Sequence, residues 1–168
     1  MAYDAHQRSS QTLTARCALI TLSDTRTPET DSSGRTIREL LTTAGHVVPV
    51  YQLIPDNPQR LEALLSEFIG RDDIDVILTN GGTGISRRDQ TVAVIDKLLD
   101  QPLPGFGELF RMLSYQQIAS GAMLSRATAG IARGRLIFAM PGSTKAVELA
   151  MTKLILPELR HLLFELRK

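Results

Sequence analysis

One stretch gathers most of the chemistry this chain can offer: Leu78-Thr79-Asn80-Gly81-Gly82-Thr83-Gly84-Ile85-Ser86-Arg87-Arg88-Asp89-Gln90-Thr91. Gly81, Gly82 and Gly84 allow backbone amides to approach a ligand, and successive amides form a concavity that holds anions. Arg87 and Arg88 supply planar forks that match phosphate. Asp89 supplies a hard oxygen suited to magnesium. Each group also has a plainer use. A GGTG run makes a tight turn, adjacent arginines form a solvated pair, and an aspartate caps the helix after it. The run is not a Walker A loop, whose lysine is missing, nor a dinucleotide fingerprint, whose third glycine is absent. Its position between an apolar run and a helical pattern favours phosphate.

Other candidates lie far off in sequence. Asp56, in Ile54-Pro55-Asp56-Asn57-Pro58, serves either turn chemistry or a second carboxylate beside the glycine turn. Ser23 opens a polar turn that ends in Asp31-Ser32-Ser33-Gly34. Capping accounts for Asp31 and the serines, and a helix start there would also attract an anion. Pro141-Gly142-Ser143 has the same double use, and Lys145 one turn later reaches either phosphate or solvent. Ser125-Arg126-Ala127 has no local reading.

These groups need a frame that brings them together. Arg16 to Ser23 is mostly apolar and short, as expected of a strand buried on both faces. Ile37, Leu40, Leu41 and Ala44 recur at helical spacing, with Gly45 as a stop. Val47 to Ile54 reads as a strand that Pro49 places at an edge. Asn57-Pro58 caps a helix striped with Leu61, Leu64, Leu65, Phe68 and Ile69. Ile74 to Thr79 is a third strand, and Val94, Ile95, Leu98 and Leu99 mark the next helix. Pro102 to Phe106 reads as a loop and Glu108 to Ile118 as a helix. Met123 to Ala132 fits no single pattern. Arg135 to Met140 is a strand, followed by a helix bearing Val147, Ala150, Met151 and Leu154. Pro157 is expected to break that helix before a last one, Glu158 to Leu166.

Alternating strands and helices predict an open, largely parallel α/β sheet. Right-handed crossovers then put the strand C-termini on one edge, where such sheets bind ligands. Three polar turns, Ser23 to Gly34, Asn80 to Asp89 and Pro141 to Lys145, would meet there.

The 168 residues suit one domain, over 15–168, preceded by a polar arm over 1–14. With 43% hydrophobic residues, 22% charged residues and a net charge of +1, the chain offers no dominant nucleic-acid surface. No apolar run is long enough to span a membrane, so neither nucleic acid nor membrane is expected as a partner. The only cysteine, Cys17, lies in an apolar run and reads as core. A reducing cytoplasm is the expected compartment.

Seven ordered segments carry a resemblance: TLSD (21–24), DSSG (31–34), LIPD (53–56), TNGGTGISRRDQT (79–91), PGFGELFRMLS (104–114), SRA (125–127) and AMPGSTKA (139–146). The chain resembles the molybdopterin adenylyltransferase family, in particular its molybdenum cofactor biosynthesis protein B subgroup. The resemblance implies a three-layer α/β/α domain with a mostly parallel central sheet, assembled as a homotrimer. It implies adenylyl transfer from MgATP to the terminal phosphate of molybdopterin, with release of pyrophosphate. Asp56 and Asp89 match the family's carboxylates and become the catalytic and magnesium-binding candidates. Gly81, Gly82, Thr83, Gly84, Ser125, Arg126, Ala127, Pro141, Gly142 and Ser143 match its nucleotide contacts. Ser23, Asp31, Ser33, Gly34, Arg87, Arg88, Glu108 and Lys145 complete the substrate-binding candidates. After Pro141-Gly142 this chain has Ser143-Thr144-Lys145, unlike the residue pair usual in plant and animal transferases. The alternative is a molybdopterin-binding carrier or a scaffold of the same pathway, without catalysis. A molybdenum insertase is a further expected partner.

Overall fold

The sheet is built on strands that are mostly apolar and buried along almost their whole length: β1 (Arg16–Leu22), β3 (Val76–Asn80) and β6 (Arg135–Met140). Successive side chains of a strand point to opposite faces, and here both faces are covered. Leu19, Leu78, Phe138 and Met140 enter one core, while Ile20, Ile77, Ile137 and Ala139 enter the other. Each fully buried Leu, Ile or Phe contributes about 1.5–3 kcal/mol. The computed structural model of this chain describes Tyr3, Ser10 and residues 12–168; most of the arm expected over 1–14 lies outside the described residues.

Among the described residues the sheet has six strands, in the order β2-β1-β3-β6-β5-β4. β2 (Val47–Ile54), β1, β3 and β6 run parallel, and β5 (Thr128–Ala132) and β4 (Gln101–Pro102) are antiparallel additions. β2 is an edge strand, as Pro49 led one to expect. One face carries α1 (Ser32–Thr43), α4 (Pro104–Ile118), α5 (Thr144–Ala150) and α6 (Leu156–Leu166). The other carries α2 (Pro58–Ile69) and α3 (Thr91–Leu98). This is the expected three-layer α/β/α arrangement.

Local signals worked where side chains act on nearby backbone. Asn57 accepts from the Arg60 N–H at 2.8 Å and Pro58 opens α2. Gly45, at φ +83°, follows the end of α1 in the left-handed region that glycine tolerates.

Three expectations need correction. The Pro102 to Phe106 loop is instead β4 followed at once by α4. Pro102 lacks a donor but sits on the outermost strand, and Pro104 occupies the first turn of α4, where no N–H is needed. The unreadable Met123 to Ala132 segment divides into a 3₁₀ turn (Ala119–Leu124) and β5. Arg133 (φ 46°) and Gly134 (φ 74°) then form a two-residue hairpin into β6, whose positive φ values match a type I′ turn. Pro157 does not break the last helix. A π-helical turn (Met151–Ile155) joins α5 to α6, and the Leu156 N–H steps back five residues to Met151 O. This wider turn loosens the ladder before Pro157, which then sits in the first turn of α6.

Candidate functional site

Register places the ends of the four parallel strands side by side. Leu22 pairs with Ile54, Thr21 with Asn80, and Asn80 with Met140. The Ser23 N–H donates to Ile54 O at 2.9 Å and the Gly81 N–H to Met140 O at 3.0 Å. The turns after β1, β2, β3 and β6 therefore share one edge.

The glycine turn follows β3 directly. Gly81 has φ +100° and Gly82 φ +70°. A Cβ on Gly81 would lie 2.3 Å from Leu22 O, and one on Gly82 would lie 2.2 Å from Thr91 Oγ1. Only glycine fits either place. Thr91, the first residue of α3, clips the turn: its hydroxyl donates to Gly81 O at 3.0 Å and its N–H to Gly82 O at 3.2 Å.

Asp56 and Asp89 flank this turn. A Cβ on Gly82 would meet Asp56 Oδ1 at 3.6 Å, and one on Gly84 would meet Asp89 Oδ2 at 2.8 Å. Asp89 does not cap α3, whose N-cap position is Gln90. Its carboxylate instead accepts the Ser86 N–H at 2.9 Å and closes its own loop. The turn reading of Asp56 also meets a competitor, because Asn57 does the capping. Asp24 lies between the elements: Oδ1 accepts the Asp56 N–H at 3.0 Å, and Oδ2 pairs with Arg88 Nη2. Burial, then the nearby Asp24 and Asp89 carboxylates, push the Asp56 carboxyl above its ordinary value, while Arg88 pulls it back.

The DSSG and PGS turns lock together. Ser33 Oγ donates to Gly142 O at 2.7 Å, and Ser32 Oγ lies 2.9 Å from Thr144 Oγ1. Ser143 caps α5 by accepting the Ala146 N–H at 3.3 Å. Asp31 is fully buried. It accepts the Gly34 N–H at 2.9 Å and the Tyr51 hydroxyl at 2.6 Å, with Arg26 at 3.4 Å. Burial opposes its charge, but the Tyr51 and Thr21 hydroxyls, the Gly34 N–H and Arg26 outweigh it and hold the carboxyl below its usual value. Asp31 is thus occupied by protein donors and anchors the turn. A Cβ on Gly34 would overlap it at 2.2 Å.

The SRA segment, silent as local sequence, braces the glycine turn from behind. The Arg126 N–H donates to Thr83 O at 3.0 Å, its Nε to Gly84 O at 2.8 Å, and its Nη2 to Asp89 O. Arg111 of α4 holds the segment in turn, donating to Ala127 O at 3.1 Å. Three candidates stand away from these bonds. Arg87 and Glu108 are exposed and make no ion pair among the described residues. Lys145 lines a cleft of about 820 Å³ between α4 and α5, with Ser143 and Thr144 at its end.

Sequence reasoning missed Asp24, Thr91 and Tyr51. Asp24 follows Ser23 at the expected edge, which was a usable signal. Thr91 and Tyr51 carried none, since their roles depend on register across the sheet.

The mostly parallel sheet gathers a glycine turn, two carboxylates and an arginine at its strand-end edge, which is where open α/β sheets bind ligands. The chain belongs to the family described as "Probable molybdopterin binding domain", which it matches over residues 18–161. It is 51% identical over 154 residues to molybdenum cofactor biosynthesis protein B of Bacillus cereus, covering 91% of each chain. A crystal structure of a molybdenum cofactor biosynthesis protein B, 51% identical, superposes with a TM-score of 0.89 over 92% of this chain and 97% of that one. The tungsten cofactor synthesizing protein MoaB from Pyrococcus furiosus, 37% identical, gives 0.83 over 92% and 98%.

Proposed function

We propose that this protein acts in molybdenum cofactor biosynthesis and transfers the adenylyl group of MgATP to the terminal phosphate of molybdopterin. The family match and the named relatives support the pathway. The observation that carries the reaction is the pair of carboxylates, Asp56 and Asp89, on either side of one glycine turn.

The donor set fits magnesium. That ion takes one or two carboxylates and fills its remaining positions with phosphate oxygens and water. Among the described residues no group of three or more His, Cys, Asp or Glu forms a dedicated cage. Asp56 and Asp89 would hold the ion, which when bound neutralises triphosphate charge.

The chain's own residues orient and compensate. Backbone N–H groups of Gly82 to Gly84 would face phosphate oxygens, the Gly81 N–H being held by Met140 O, and Arg88 would add positive charge. Arg126 keeps the turn rigid through its bonds to Gly84 O and Asp89 O. The pterin phosphate attacks the α-phosphorus of ATP, the bond to the β-phosphate oxygen breaks, and pyrophosphate leaves. A phosphate monoester is already anionic near neutral pH, so positioning does most of the work and no general base is needed.

Incubation with molybdopterin and MgATP, followed by detection of adenylylated pterin and pyrophosphate, tests this reading. Tight pterin binding without product, under conditions where an active relative turns over, would leave the carrier reading.

A further inference from the structure

Arg88 is the arginine of the glycine turn that carries an ion pair, and its partner is a carboxylate of a different turn. Asp24, just after β1, uses its two oxygens for separate tasks: Oδ1 accepts the Asp56 N–H at 3.0 Å and Oδ2 pairs with Arg88 Nη2. The Asp24 side chain is 32% exposed and that of Arg88 68% exposed, so the pair lies at the mouth of the site and opens without unpacking any core. Arg126, in contrast, is committed to backbone carbonyls. A carboxylate and a phosphate offer an arginine the same paired-oxygen geometry.

We propose that Asp24 is a positioning residue that stands in for a ligand phosphate: it holds Arg88 beside the glycine turn and releases it when a nucleoside triphosphate arrives. The inference rests on the nucleotide reading given above. Three carboxylates, Asp24, Asp56 and Asp89, surround the turn, and Arg88 is the cation paired with one of them. Without a ligand, Arg88 offsets their repulsion. Once a cation-bearing triphosphate brings its own positive charge, the guanidinium can move to phosphate without leaving the carboxylates uncompensated. Asp24 then keeps its hold on the Asp56 N–H, so the loop that carries Asp56 stays in place during the exchange. The pair therefore competes with the ligand for Arg88 while fixing the backbone beside Asp56.

The competition has a signature that a structural role lacks: removing Asp24's charge should tighten binding. The test measures MgATP affinity with pterin absent, so no turnover intrudes. Asp24→Asn keeps an oxygen for the Asp56 N–H and loses the hold on Arg88. It should bind MgATP about two- to fivefold more tightly than the parent, the range for one exposed ion pair. In an Arg88→Ala background the same substitution should change affinity by less than the scatter of the measurement. Tightening that persists without Arg88 would mean plain repulsion of the triphosphate and would overturn the proposal. Weaker binding in Asp24→Asn would make Asp24 a direct ligand contact and would also overturn it. If Asp24→Asn does not fold, Asp24→Ser, with a shorter acceptor, is measured against the same outcomes. No binding of MgATP by the parent would remove both this proposal and the nucleotide reading, whereas binding that ignores Asp24 removes this proposal alone.

Discussion

Gly142 lies against Gly81, so that a Cβ on Gly142 would be 3.3 Å from the Gly81 Cα. The turns after β3 and β6 meet backbone to backbone, with Gly81 also pressed against Leu22 O. The two glycines are not equally sensitive. Gly81→Ala faces a carbonyl at 2.3 Å and a φ of +100°, so the turn must move. It should cost about 2–3 kcal/mol in urea unfolding and abolish ligand binding. Gly142→Ala needs a shift of a few tenths of an ångström and should cost less than about 1 kcal/mol. Its turnover should fall about tenfold through misplacement alone. Equal losses of stability in the two variants would contradict this account.

At the opposite edge of the sheet, Asp75 ties the start of β1 to the chain's end. Its Oδ2 accepts the Arg16 N–H and Nε, both at 2.9 Å, and its Oδ1 accepts Arg16 Nη2 at 2.8 Å and Arg167 Nη2 at 3.2 Å. Burial raises the Asp75 carboxyl, but the Arg16 bonds and Arg167 outweigh it and hold it at about 2. A depressed carboxyl stabilises the fold fully above its unfolded value near 4, and that share is lost as pH falls through about 2. Both arginines are more than 40% exposed, so solvent screening reduces the gain to about 1–2 kcal/mol. Asp75→Asn should lose that amount at pH 7, and the gap to the parent should narrow between pH 4 and pH 2. A gap that stays constant across this range would assign the loss to packing.

The four parallel strands and their shared edge were legible because each rests on patterns within one segment or on the handedness of crossovers, whereas β4 and β5 carried no such pattern. Asn57 and Gly45 were legible for the same reason: each acts on backbone a few residues away. Pro157 misled because a π turn six residues upstream begins to absorb its effect, and propensity alone does not register such a turn. Asp89 was read as either cap or ligand, and its actual hydrogen bond runs backwards to Ser86. Arg126 had no local meaning since its partners, Thr83 to Asp89, are some forty residues away. Groups that act across the sheet can be placed only once register is fixed.

A homotrimer, which the resemblance implies, would need an exposed apolar face to bury. Phe106 and Phe110 are in the core, as are Leu159 and Leu163. Leu109, Met112, Tyr115 and Ile118 along α4, continuing to Met123 and Leu124, are exposed. Six large apolar side chains in one region are more than a monomer surface usually carries. Sedimentation should give three times the 18.5 kDa chain mass. The paired substitutions Met112→Glu and Ile118→Glu should reduce it to that of one chain while leaving the circular dichroism spectrum unchanged. A parent that sediments as one chain at micromolar concentration would remove the trimer and leave the reaction untouched.

Asp56 and Asp89 provide the sharpest test of the proposed reaction. Asp89→Asn keeps an oxygen for the Ser86 N–H, so the melting temperature should barely change, while loss of the charge should cut turnover at least about a hundredfold. Asp56 is half-buried and its carboxyl carries no hydrogen bond among the described residues, so Asp56→Asn should likewise fold normally. Turnover should again fall while pterin affinity stays within a few-fold. If both carboxylates serve one bound cation, their losses cannot add: once either is gone the site is already broken. The double variant should therefore be little slower than the poorer single one, and both singles should need more magnesium for half-maximal rate. Losses that multiply would give the two carboxylates separate roles. Full turnover in Asp89→Asn would reduce that residue to the loop bond it makes with Ser86.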